Sequence, residues 1–307
     1  MVNTDKVKLN TGAEIPDVGT GTWAGIEPEE WDRVQQWLVP ALEFGYRHVD
    51  TALIYGTEPA TSRAIKEAGL ARDEVFITTK LPWHRHGREE ESITQSLNNL
   101  DTDYVDLWLM HWPQAIVTLD DKLQTVNDER GVPKTFDHPF TKTWAAMEEI
   151  YRKSKRVRAI GVSNFSIKNL EILLKTAQVI PAVNQVELHP YLAQEDLLQY
   201  CREKGILLMA YTPTGYPDVP QDPTIKKLAE KYNVTPTQVI LGWHIARGVL
   251  IIPGSKDPEH QKENITPAIL DAEDVKLITS LDRNQRLFNA PDEHGTVWGW
   301  TMEQLGW

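Results

Sequence analysis

Four ionisable residues stand at or just beyond the ends of short apolar runs in the first part of the chain. Asp50 and Tyr55 lie in GYRHVDTALIYG, Lys80 ends VFITTK, and His111 ends VDLWLMH. A phenol, an ammonium, a carboxylate and an imidazole are residue types that move and stabilise protons and charges. Taken singly, each has a structural interpretation: a helix cap, a core phenol, a rim charge or a buried histidine. Their shared placement at the ends of apolar runs favours one reacting centre instead.

The elements that position these residues alternate between apolar runs and helical patterns. The runs are continuously apolar, which is typical of parallel strands covered on both faces. Eight such repeats predict an α/β fold, a (β/α)8 TIM barrel, with residues 1–307 forming a single domain. The strands are predicted in DVGTGTW, RHVDTA, VFITTK, YVDLWLMH, VRAIGVSN, PAVNQVEL, ILLMAYT and VLIIPGS. In such barrels the active site lies at the carboxyl ends of the strands, where the four ionisable residues fall.

Three segments and one proline depart from the regular repeat. The start, VKLNTGAEIPDVG, predicts a hairpin with a turn at Asn10–Gly12. Residues 114–141 form a long loop after the fourth barrel strand, and loops of this length are usually functional or disordered. The tryptophan-rich tail from about Arg286 is expected to lie over the active-site mouth. Pro40, inside a helical pattern, predicts a kinked or broken first helix.

The composition of the chain indicates which kinds of binding partner and which compartment are to be expected. The chain has 307 residues, 41% hydrophobic, and a net charge of −12, which disfavours binding to nucleic acid or anionic membranes. No apolar stretch reaches the ~18 residues of a membrane span, and the N-terminus has no signal-like apolar region, so a cytoplasmic protein is expected. The single cysteine, Cys201, allows no intrachain disulfide and is expected to be a core residue.

The segments GYRHVDTALIYG, ITTKLPW, LMHWP, IGVSNF and NQVELHP resemble the signatures of the aldo-keto reductases, in order and spacing. The resemblance runs from about Lys8 to about Asp282 and is nearest to fungal-type members that reduce sugars, uronates and small aldehydes. It implies a barrel, monomeric or weakly dimeric, that binds NADPH without a Rossmann domain and acts on a small carbonyl compound. It assigns the catalytic roles to four residues: Asp50, Tyr55, Lys80 and His111.

Hydride attack on a carbonyl builds negative charge on its oxygen, which explains these residue types. Tyr55 would donate the proton, and Lys80 would lower the tyrosine pKa from its ordinary value near 10. Asp50 would offset the cost of burying Lys80 by pairing with it. His111, neutral, would donate a hydrogen bond that orients the carbonyl.

The resemblance also implies the cofactor residues. Thr22 would neighbour the cofactor, Ser163, Asn164 and Gln185 would bind the nicotinamide carboxamide, and Tyr211 would stack on its ring. The alternative for the polar residues is strand-end capping. The full predicted set is Thr22, Ser163, Asn164, Gln185, Tyr211, Thr212, Thr214, Ser255, Lys256, His260, Glu263 and Asn264.

The segment IIPGSKDPEHQKEN departs from the family pattern at two positions. Gly254 stands where a lysine is usual, and His260 where an arginine is usual. NADPH differs from NADH by a 2′-phosphate, and Ser255, Lys256 and His260 remain in this segment as groups that could bind it. NADPH is therefore the expected cofactor, with a smaller preference over NADH than the usual lysine and arginine would give. NADH use stays possible.

The substrate pocket is expected to be lined by tryptophans: Trp23, Trp83, Trp112 and, from the tail, Trp298 or Trp300. The tail tryptophans have the alternative role of anchoring the tail to the barrel. An aldose, a uronate such as D-galacturonate, and a small hydroxyaldehyde all remain open as substrates.

Other interpretations are weaker. A non-catalytic protein with the same fold would be the better interpretation if one of the four catalytic positions were substituted, but all four are intact. A lyase or isomerase would need a glycine-rich phosphate loop late in the barrel, which the sequence does not present. GTGTWA matches a dinucleotide fingerprint without the helix that it requires. His84 and His86 of HRHG indicate a solvated loop, and no metal site is expected.

Overall fold

Eight parallel strands form the barrel wall. The computed structural model describes residues 5–119 and 124–307. Barrel strands pair in the order of the sequence, β3 to β10, and a parallel bridge between Val18 and Ile251 joins the two ends of the sheet. In chain order the strands are β1 (Lys6–Lys8), β2 (Glu14–Pro16), β3 (Thr20–Gly21), β4 (His48–Asp50), β5 (Phe76–Leu81), β6 (Leu107–Met110), β7 (Ile160–Ser163), β8 (Val183–Glu187), β9 (Leu207–Tyr211), β10 (Leu250–Ile251), β11 (Thr296–Val297) and β12 (Trp300–Thr301). The predicted (β/α)8 barrel is confirmed.

Helices follow the strands and cover the outside of the barrel. They are α1 (Pro28–Glu43), α2 (Glu58–Glu67), α3 (Glu89–Leu100), α4 (Phe140–Lys153), α5 (Ile167–Leu174), α6 (Glu195–Lys204), α7 (Pro223–Tyr232), α8 (Pro236–Ala246), α9 (Pro258–Asn264), α10 (Ala272–Thr279) and α11 (Met302–Leu305). The predicted break at Pro40 is wrong, since α1 runs through it. Pro40 lies in the last turn of the helix, so the missing N–H removes one bond close to an end that frays anyway.

The strands alternate their side chains between two apolar layers. Along β6, Leu107 and Leu109 join the cluster inside the barrel, whereas Trp108 and Met110 join the larger cluster beneath the helices. All four are fully buried, and burying each such side chain contributes about 1.5–3 kcal/mol. This alternation with both faces covered explains why the strands are continuously apolar.

The predicted hairpin is formed by β1 and β2, which pair in antiparallel register. Its residues Leu9 and Ile15 pack into the cluster inside the barrel. The Nδ2 atom of Asn10, in the turn, donates to the carbonyl oxygens of Pro181 and Gly205, which precede β8 and β9. The hairpin therefore closes the amino end of the barrel and leaves the carboxyl end open.

The long loop and the tail meet above that open end. Within the predicted loop 114–141, antiparallel bridges join Ile116 to Thr135 and Asn127 to Pro133, while residues 120–123 lie outside the described part of the chain. The tail forms a hairpin from β11 and β12, followed by α11. Gln114 Nε2 donates to the Val297 carbonyl oxygen over 3.2 Å, which ties the loop to the tail.

Two further expectations concern single features. Cys201 is fully buried, and burial raises the pKa of its thiol to about 12, as suits a core residue. Across residues 5–119 and 124–307, none of the helices combines the length and the apolar character that crossing a bilayer requires.

Candidate active site

The four predicted catalytic residues come together at the carboxyl end of the barrel. Asp50 is the last residue of β4, Lys80 lies at the end of β5, and His111 directly follows β6. Tyr55 ends a single helical turn, Leu53–Tyr55, that begins just after β4. Because neighbouring parallel strands end at the same edge of the barrel, these residues lie close together although they are far apart in the sequence.

Gly56 fixes the turn that presents Tyr55. Its φ of 69° lies in the left-handed region that favours glycine. A Cβ at this position would meet the Trp31 ring at 2.2 Å, so the approach of Trp31 also requires glycine. The indole of Trp31 is held in turn by a hydrogen bond to the carbonyl oxygen of Gly25. The geometry of Tyr55 thus depends on packing against α1.

A buried ion pair lies beneath Tyr55. Lys80 Nζ donates to Asp50 Oδ1 over 2.5 Å and to the Thr51 carbonyl oxygen over 2.9 Å. Gln185 Nε2 donates to the other carboxylate oxygen, Asp50 Oδ2, over 2.7 Å. Burial lowers the pKa of Lys80 and raises that of Asp50, and each charge opposes the shift of its partner. The pairing predicted for Asp50 and Lys80 is present.

The predicted lowering of the Tyr55 pKa is not what the structure shows. The side chain is only half-buried by surface area, yet the protein around it and the Asp50 charge raise its pKa above the ordinary 10. The Lys80 ammonium lies 5.0 Å from the centre of the Tyr55 ring, but its hydrogen bonds go to Asp50 and Thr51. Since the Asp50 charge largely cancels that of Lys80, little positive field is left to stabilise a tyrosinate. Tyr55 is therefore a neutral phenol.

His111 is neutral, as expected. Burial, reinforced by the Lys80 charge, lowers its pKa well below 6.5. Its ring stands edge-on to Tyr55, with 5.6 Å between the ring centres. A neutral imidazole keeps one N–H donor, so Tyr55 and His111 can both donate to one oxygen placed between them.

A layer of hydroxyls and a second carboxylate support the ion pair from behind. Thr57 Oγ1 lies 3.0 Å from Thr22 Oγ1 and 3.1 Å from Thr51 Oγ1, so one hydroxyl joins the segments after β3 and β4. The fully buried Glu58 accepts hydrogen bonds from Thr79 Oγ1 and Asn99 Nδ2, and burial raises its pKa. Neither Thr57 nor Glu58 is among the residues predicted for the site, because these contacts form only when the segments around them fold together.

A cavity of about 740 Å³ opens above the four residues. Asp50, Tyr55 and His111 line it, while Lys80 lies behind the wall. Ten of the predicted cofactor residues also line it: Thr22, Ser163, Asn164, Gln185, Tyr211, Thr212, Thr214, Ser255, Lys256 and Asn264. The other two, His260 and Glu263, lie on α9 outside the lining residues, and His260 is exposed. Their assignment to the cofactor stays a prediction.

One end of the cavity, near β10, carries a lysine that is already paired. Lys256 Nζ donates to Glu30 Oε2 on α1 over 2.7 Å, and Glu30 Oε1 accepts from Arg33 over 2.6 Å. The hydrogen bond from Lys256 is the first cause of a lowered Glu30 pKa. At Gly254 an added Cβ would make an ordinary 3.4 Å contact with the Gly21 carbonyl oxygen, so the backbone does not demand glycine there.

The opposite end is aromatic. All four predicted substrate residues line the cavity, namely Trp23, Trp83, Trp112 and Trp298. Trp298 of the tail stacks on Trp83, with 5.3 Å between ring centres and 23° between planes, and Trp23 stands edge-on to Tyr55 at 4.9 Å. Trp300 packs against the core instead of lining the cavity. The tail thus both reaches the site and is anchored to the barrel.

Several lining residues escaped sequence reasoning, among them Ile26, Trp37, Ile54, Phe288 and Asn289. Asn289 Nδ2 donates to the Tyr211 hydroxyl over 2.7 Å, and that hydroxyl donates to Asn164 Oδ1 over 2.7 Å. Asn164 Nδ2 donates to the His111 carbonyl oxygen over 3.0 Å. No pattern in the tail sequence identifies Asn289 as a site residue, because its contact with Tyr211 forms only when the tail folds back onto the barrel.

Comparison with known protein families decides the class. The Aldo/keto reductase family matches residues 17–283, most of the chain. The chain belongs to this family. The predicted resemblance and the predicted oxidoreductase class are both confirmed.

Individual relatives of this aldo/keto reductase cover almost its whole length. Glycerol 2-dehydrogenase (NADP(+)) of Saccharomyces cerevisiae is 41% identical over 293 residues, which is 92% of each chain. D-galacturonate reductase of Hypocrea jecorina is 41% identical over 280 residues, 88% of each chain. The predicted likeness to fungal members is thereby confirmed.

A solved structure is similar in fold. The crystal structure of a Bombyx mori aldo-keto reductase in complex with NADP has a TM-score of 0.82 and 32% identity, and the match covers 94% of this chain and 96% of that one. The predicted cofactor type, NADP(H), is the one named for both this structure and the yeast relative.

The described part of the reductase contains no cluster of potential metal ligands. Over residues 5–119 and 124–307, no three His, Cys, Asp or Glu side chains gather in a way that could hold an ion. His86, of the HRHG segment, is fully buried, with Nε2 3.2 Å from the Trp112 carbonyl oxygen and Nδ1 3.0 Å from Thr143 Oγ1. Burial lowers the pKa of His86 to about 3. The expectation of a solvated loop is wrong for His86, whose role is structural.

Proposed function

We propose that this aldo/keto reductase reduces an aldehyde or ketone to an alcohol with NADPH, and that Tyr55 is the proton donor. The observation that carries the proposal is the neutral Tyr55 phenol beside the neutral His111, above the buried Asp50–Lys80 pair and at the wall of one cavity. When bound, NADPH supplies the hydride that the carbonyl carbon receives.

The residues around β7 to β9 suit the nicotinamide end of such a cofactor. Tyr211 offers an aromatic face at the cavity wall for a flat ring. Both N–H donors of Asn164 are used, by the His111 carbonyl oxygen and by Ser163 Oγ, whereas within the described part of the chain Oδ1 accepts only from Tyr211. An amide oxygen can accept two hydrogen bonds, so Asn164 Oδ1 is available to a carboxamide N–H.

Tyr55 and His111 would act on the substrate oxygen. As negative charge grows there, both donate hydrogen bonds to it, and the Tyr55 proton completes the alcohol. An alkoxide is a much stronger base than a phenolate, so transfer from Tyr55 is downhill even though its pKa is raised. The tyrosinate then regains its proton from solvent, because Asp50 cancels most of the charge of the Lys80 ammonium that lies 5.0 Å from the ring centre.

Local groups would have to hold a 2′-phosphate, because a net charge of −12 repels it at long range. Ser255 and Lys256 line the cavity end near β10 and offer a hydroxyl and an ammonium. We propose that these two residues favour NADPH over NADH. The preference is moderate, since Lys256 is shared with Glu30 and a point charge lacks the two-pronged grip of an arginine.

The substrate class follows from the aromatic end of the cavity and from the relatives. Trp23, Trp83 and Trp112 form apolar walls that suit the carbon skeleton of a small substrate. The two fungal relatives are named for glycerol and for D-galacturonate, both polyhydroxylated compounds. We propose a small hydroxylated carbonyl compound, with a hydroxyaldehyde, an aldose and a uronate as the candidates.

Steady-state kinetics test the proposal. Purified protein is assayed for oxidation of NADPH and NADH with DL-glyceraldehyde, D-xylose, D-galacturonate and an aromatic aldehyde. We expect reduction with NADPH at a higher kcat/KM than with NADH, and a hydroxylated compound among the better substrates. Tight cofactor binding without turnover of any carbonyl would favour the alternative of a non-catalytic protein on this fold.

A further inference from the structure

We propose that Asn289, in the C-terminal tail, is a positioning residue for the nicotinamide side of the cavity. It would act through Tyr211, whose ring would stack on the nicotinamide. The inference rests on the proposed binding of NADPH and adds a residue, and a segment of chain, to the cofactor site.

The direction of the hydrogen bonds fixes what Asn289 does. A tyrosine hydroxyl has a single proton, and the Tyr211 proton goes to Asn164 Oδ1 over 2.7 Å. The contact of 2.7 Å with Asn289 Nδ2 is therefore one in which the amide donates and the phenol accepts. The Tyr211 hydroxyl is held from both sides, by the tail and by the residue after β7.

Asn289 is held in place by a buried carboxylate. Glu187, the last residue of β8, accepts hydrogen bonds from the backbone N–H groups of Leu287, Phe288 and Asn289, over 2.7, 3.1 and 3.1 Å. Glu187 is fully buried, and His189 Nε2 lies 3.2 Å from its Oε1. Three amide donors converging on one carboxylate fasten this stretch of the tail to the barrel wall.

The same network reaches the reacting residues. Asn164 Nδ2 donates to the carbonyl oxygen of His111 over 3.0 Å. Hydrogen bonds therefore run from the tail through Tyr211 and Asn164 to the backbone of His111. Without Asn289, one of the two bonds that fix the Tyr211 hydroxyl disappears, and the ring loses part of its fixed orientation against the cofactor.

The first experiment compares two ligands on three proteins. NADPH and 2′,5′-ADP, which has the phosphate but no nicotinamide, are titrated by calorimetry into the parent, Asn289→Ala and Gln285→Ala. Gln285 is an exposed amide side chain of the same tail segment and serves as the matched control. We expect Asn289→Ala to weaken NADPH binding about fivefold, the effect of one net hydrogen bond, and to leave 2′,5′-ADP binding unchanged. Gln285→Ala should change neither.

Two results would overturn the inference. One is NADPH affinity unchanged in Asn289→Ala, and the other is equal weakening of both ligands, which would indicate general damage to the fold. If the parent itself failed to bind NADPH, the proposed function would fall together with the inference. Normal NADPH binding by the parent with no effect of Asn289→Ala would overturn the inference alone.

A double-mutant cycle with Tyr211→Phe tests the route. Phenylalanine keeps the ring and removes the hydroxyl that Asn289 contacts. We expect Asn289→Ala to cause no further loss of NADPH affinity in the Tyr211→Phe background, because the bond is already gone. Losses that multiply in the double variant would show that Asn289 acts by another route. If Asn289→Ala lowers the melting temperature, Tyr211→Phe tests the same hydrogen bond by removing its acceptor instead of its donor.

Discussion

Gln185 donates from Nε2 to Asp50 Oδ2 over 2.7 Å, on the side of the carboxylate opposite Lys80. The two residues lie 135 positions apart, on β8 and β4, and meet across the inside of the barrel mouth. Asp50 therefore cannot turn away from Lys80 without losing a hydrogen bond. The ion pair has a fixed geometry because the barrel closes around it.

Tyr55→Phe should lower kcat for carbonyl reduction by at least about 10²-fold, because general acid catalysis contributes that much or more. The affinity for NADPH should be retained, since phenylalanine keeps the shape of the cavity wall. The measurements are single-turnover reduction and a binding titration on the same preparation. Reduction at near-parental rates would mean that another group donates the proton.

Lys80→Met should destabilise the fold as well as stop reduction. Removing one partner of a buried pair leaves Asp50 charged and uncompensated, at a cost of about 3–5 kcal/mol in the free energy of unfolding. Adding Asp50→Asn should recover much of that stability, because no buried charge is left, without recovering the rate. Denaturant unfolding and kcat are measured on all variants.

The control for that prediction is Lys66→Met. Lys66 pairs with Asp101, but both side chains are exposed and screened by solvent, so the change should cost far less stability than Lys80→Met. A similar loss of stability in Lys66→Met and Lys80→Met would mean that burial is not what makes the Asp50–Lys80 pair matter.

The pH dependence of kcat should be level between about pH 6.5 and 9, a range that lies within the interval from the ordinary histidine pKa to the ordinary tyrosine pKa. The pKa of His111 is lowered, so the imidazole stays neutral over this range, and the pKa of Tyr55 is raised, so the phenol keeps its proton. Were the Tyr55 pKa lowered into this range, kcat would fall as pH rises and the donor ionises. The test is kcat with saturating NADPH and aldehyde, and a fall centred between pH 7 and 9 would show that Lys80 does lower the tyrosine pKa in the working complex.

Glu30→Gln should increase the preference for NADPH over NADH. Glu30 holds the Lys256 ammonium and places a negative charge near the expected phosphate, so its neutralisation frees Lys256 and removes a repulsion. From the strength of exposed ion pairs we expect the ratio of kcat/KM values to rise about two- to fivefold. Lys256→Ala should lower the ratio, and Glu30→Gln should then add little.

Glu29→Gln is the matched control for this effect. It removes the same charge one residue earlier on α1, from an exposed side chain, and should leave the cofactor preference unchanged. An equal rise of the ratio in both variants would mean that general surface charge, not the Glu30–Lys256 pair, sets the preference.

Trp298→Ala should change the substrate profile more than the intrinsic rate. Trp298 stacks on Trp83 at the aromatic end of the cavity, and an aromatic pair contributes about 0.5–1.5 kcal/mol beyond its buried area. We expect kcat/KM for an aromatic aldehyde to fall by up to about tenfold and that for glyceraldehyde to change little. A point substitution is preferable to deleting the tail from Val297, because Leu305 is fully buried and its loss would open the core. Equal falls for both aldehydes would point to a structural role for Trp298.

The sequence by itself determined the architecture and which ionisable side chains would meet at the mouth of the barrel. Continuous apolar runs give parallel strands, and parallel strands in a barrel end at one edge, so Asp50, Lys80 and His111 had to meet once the eight repeats were recognised. The resemblance to the aldo-keto reductases supplied the predicted cofactor and substrate residues, and most of them line the cavity because they too stand at strand ends or in the loops just after them.

Only the tertiary structure decided the contacts between distant segments and the sign of a pKa shift. Asn289 meets Tyr211 across 78 positions, and Lys256 meets Glu30 across 226, and neither partner carries a local pattern. The Tyr55 pKa was predicted in the wrong direction because charges can be counted from a sequence, whereas desolvation depends on how much protein closes around a group. Strand ends are local properties of the chain; burial and long-range partners exist only after the barrel and its tail have folded together.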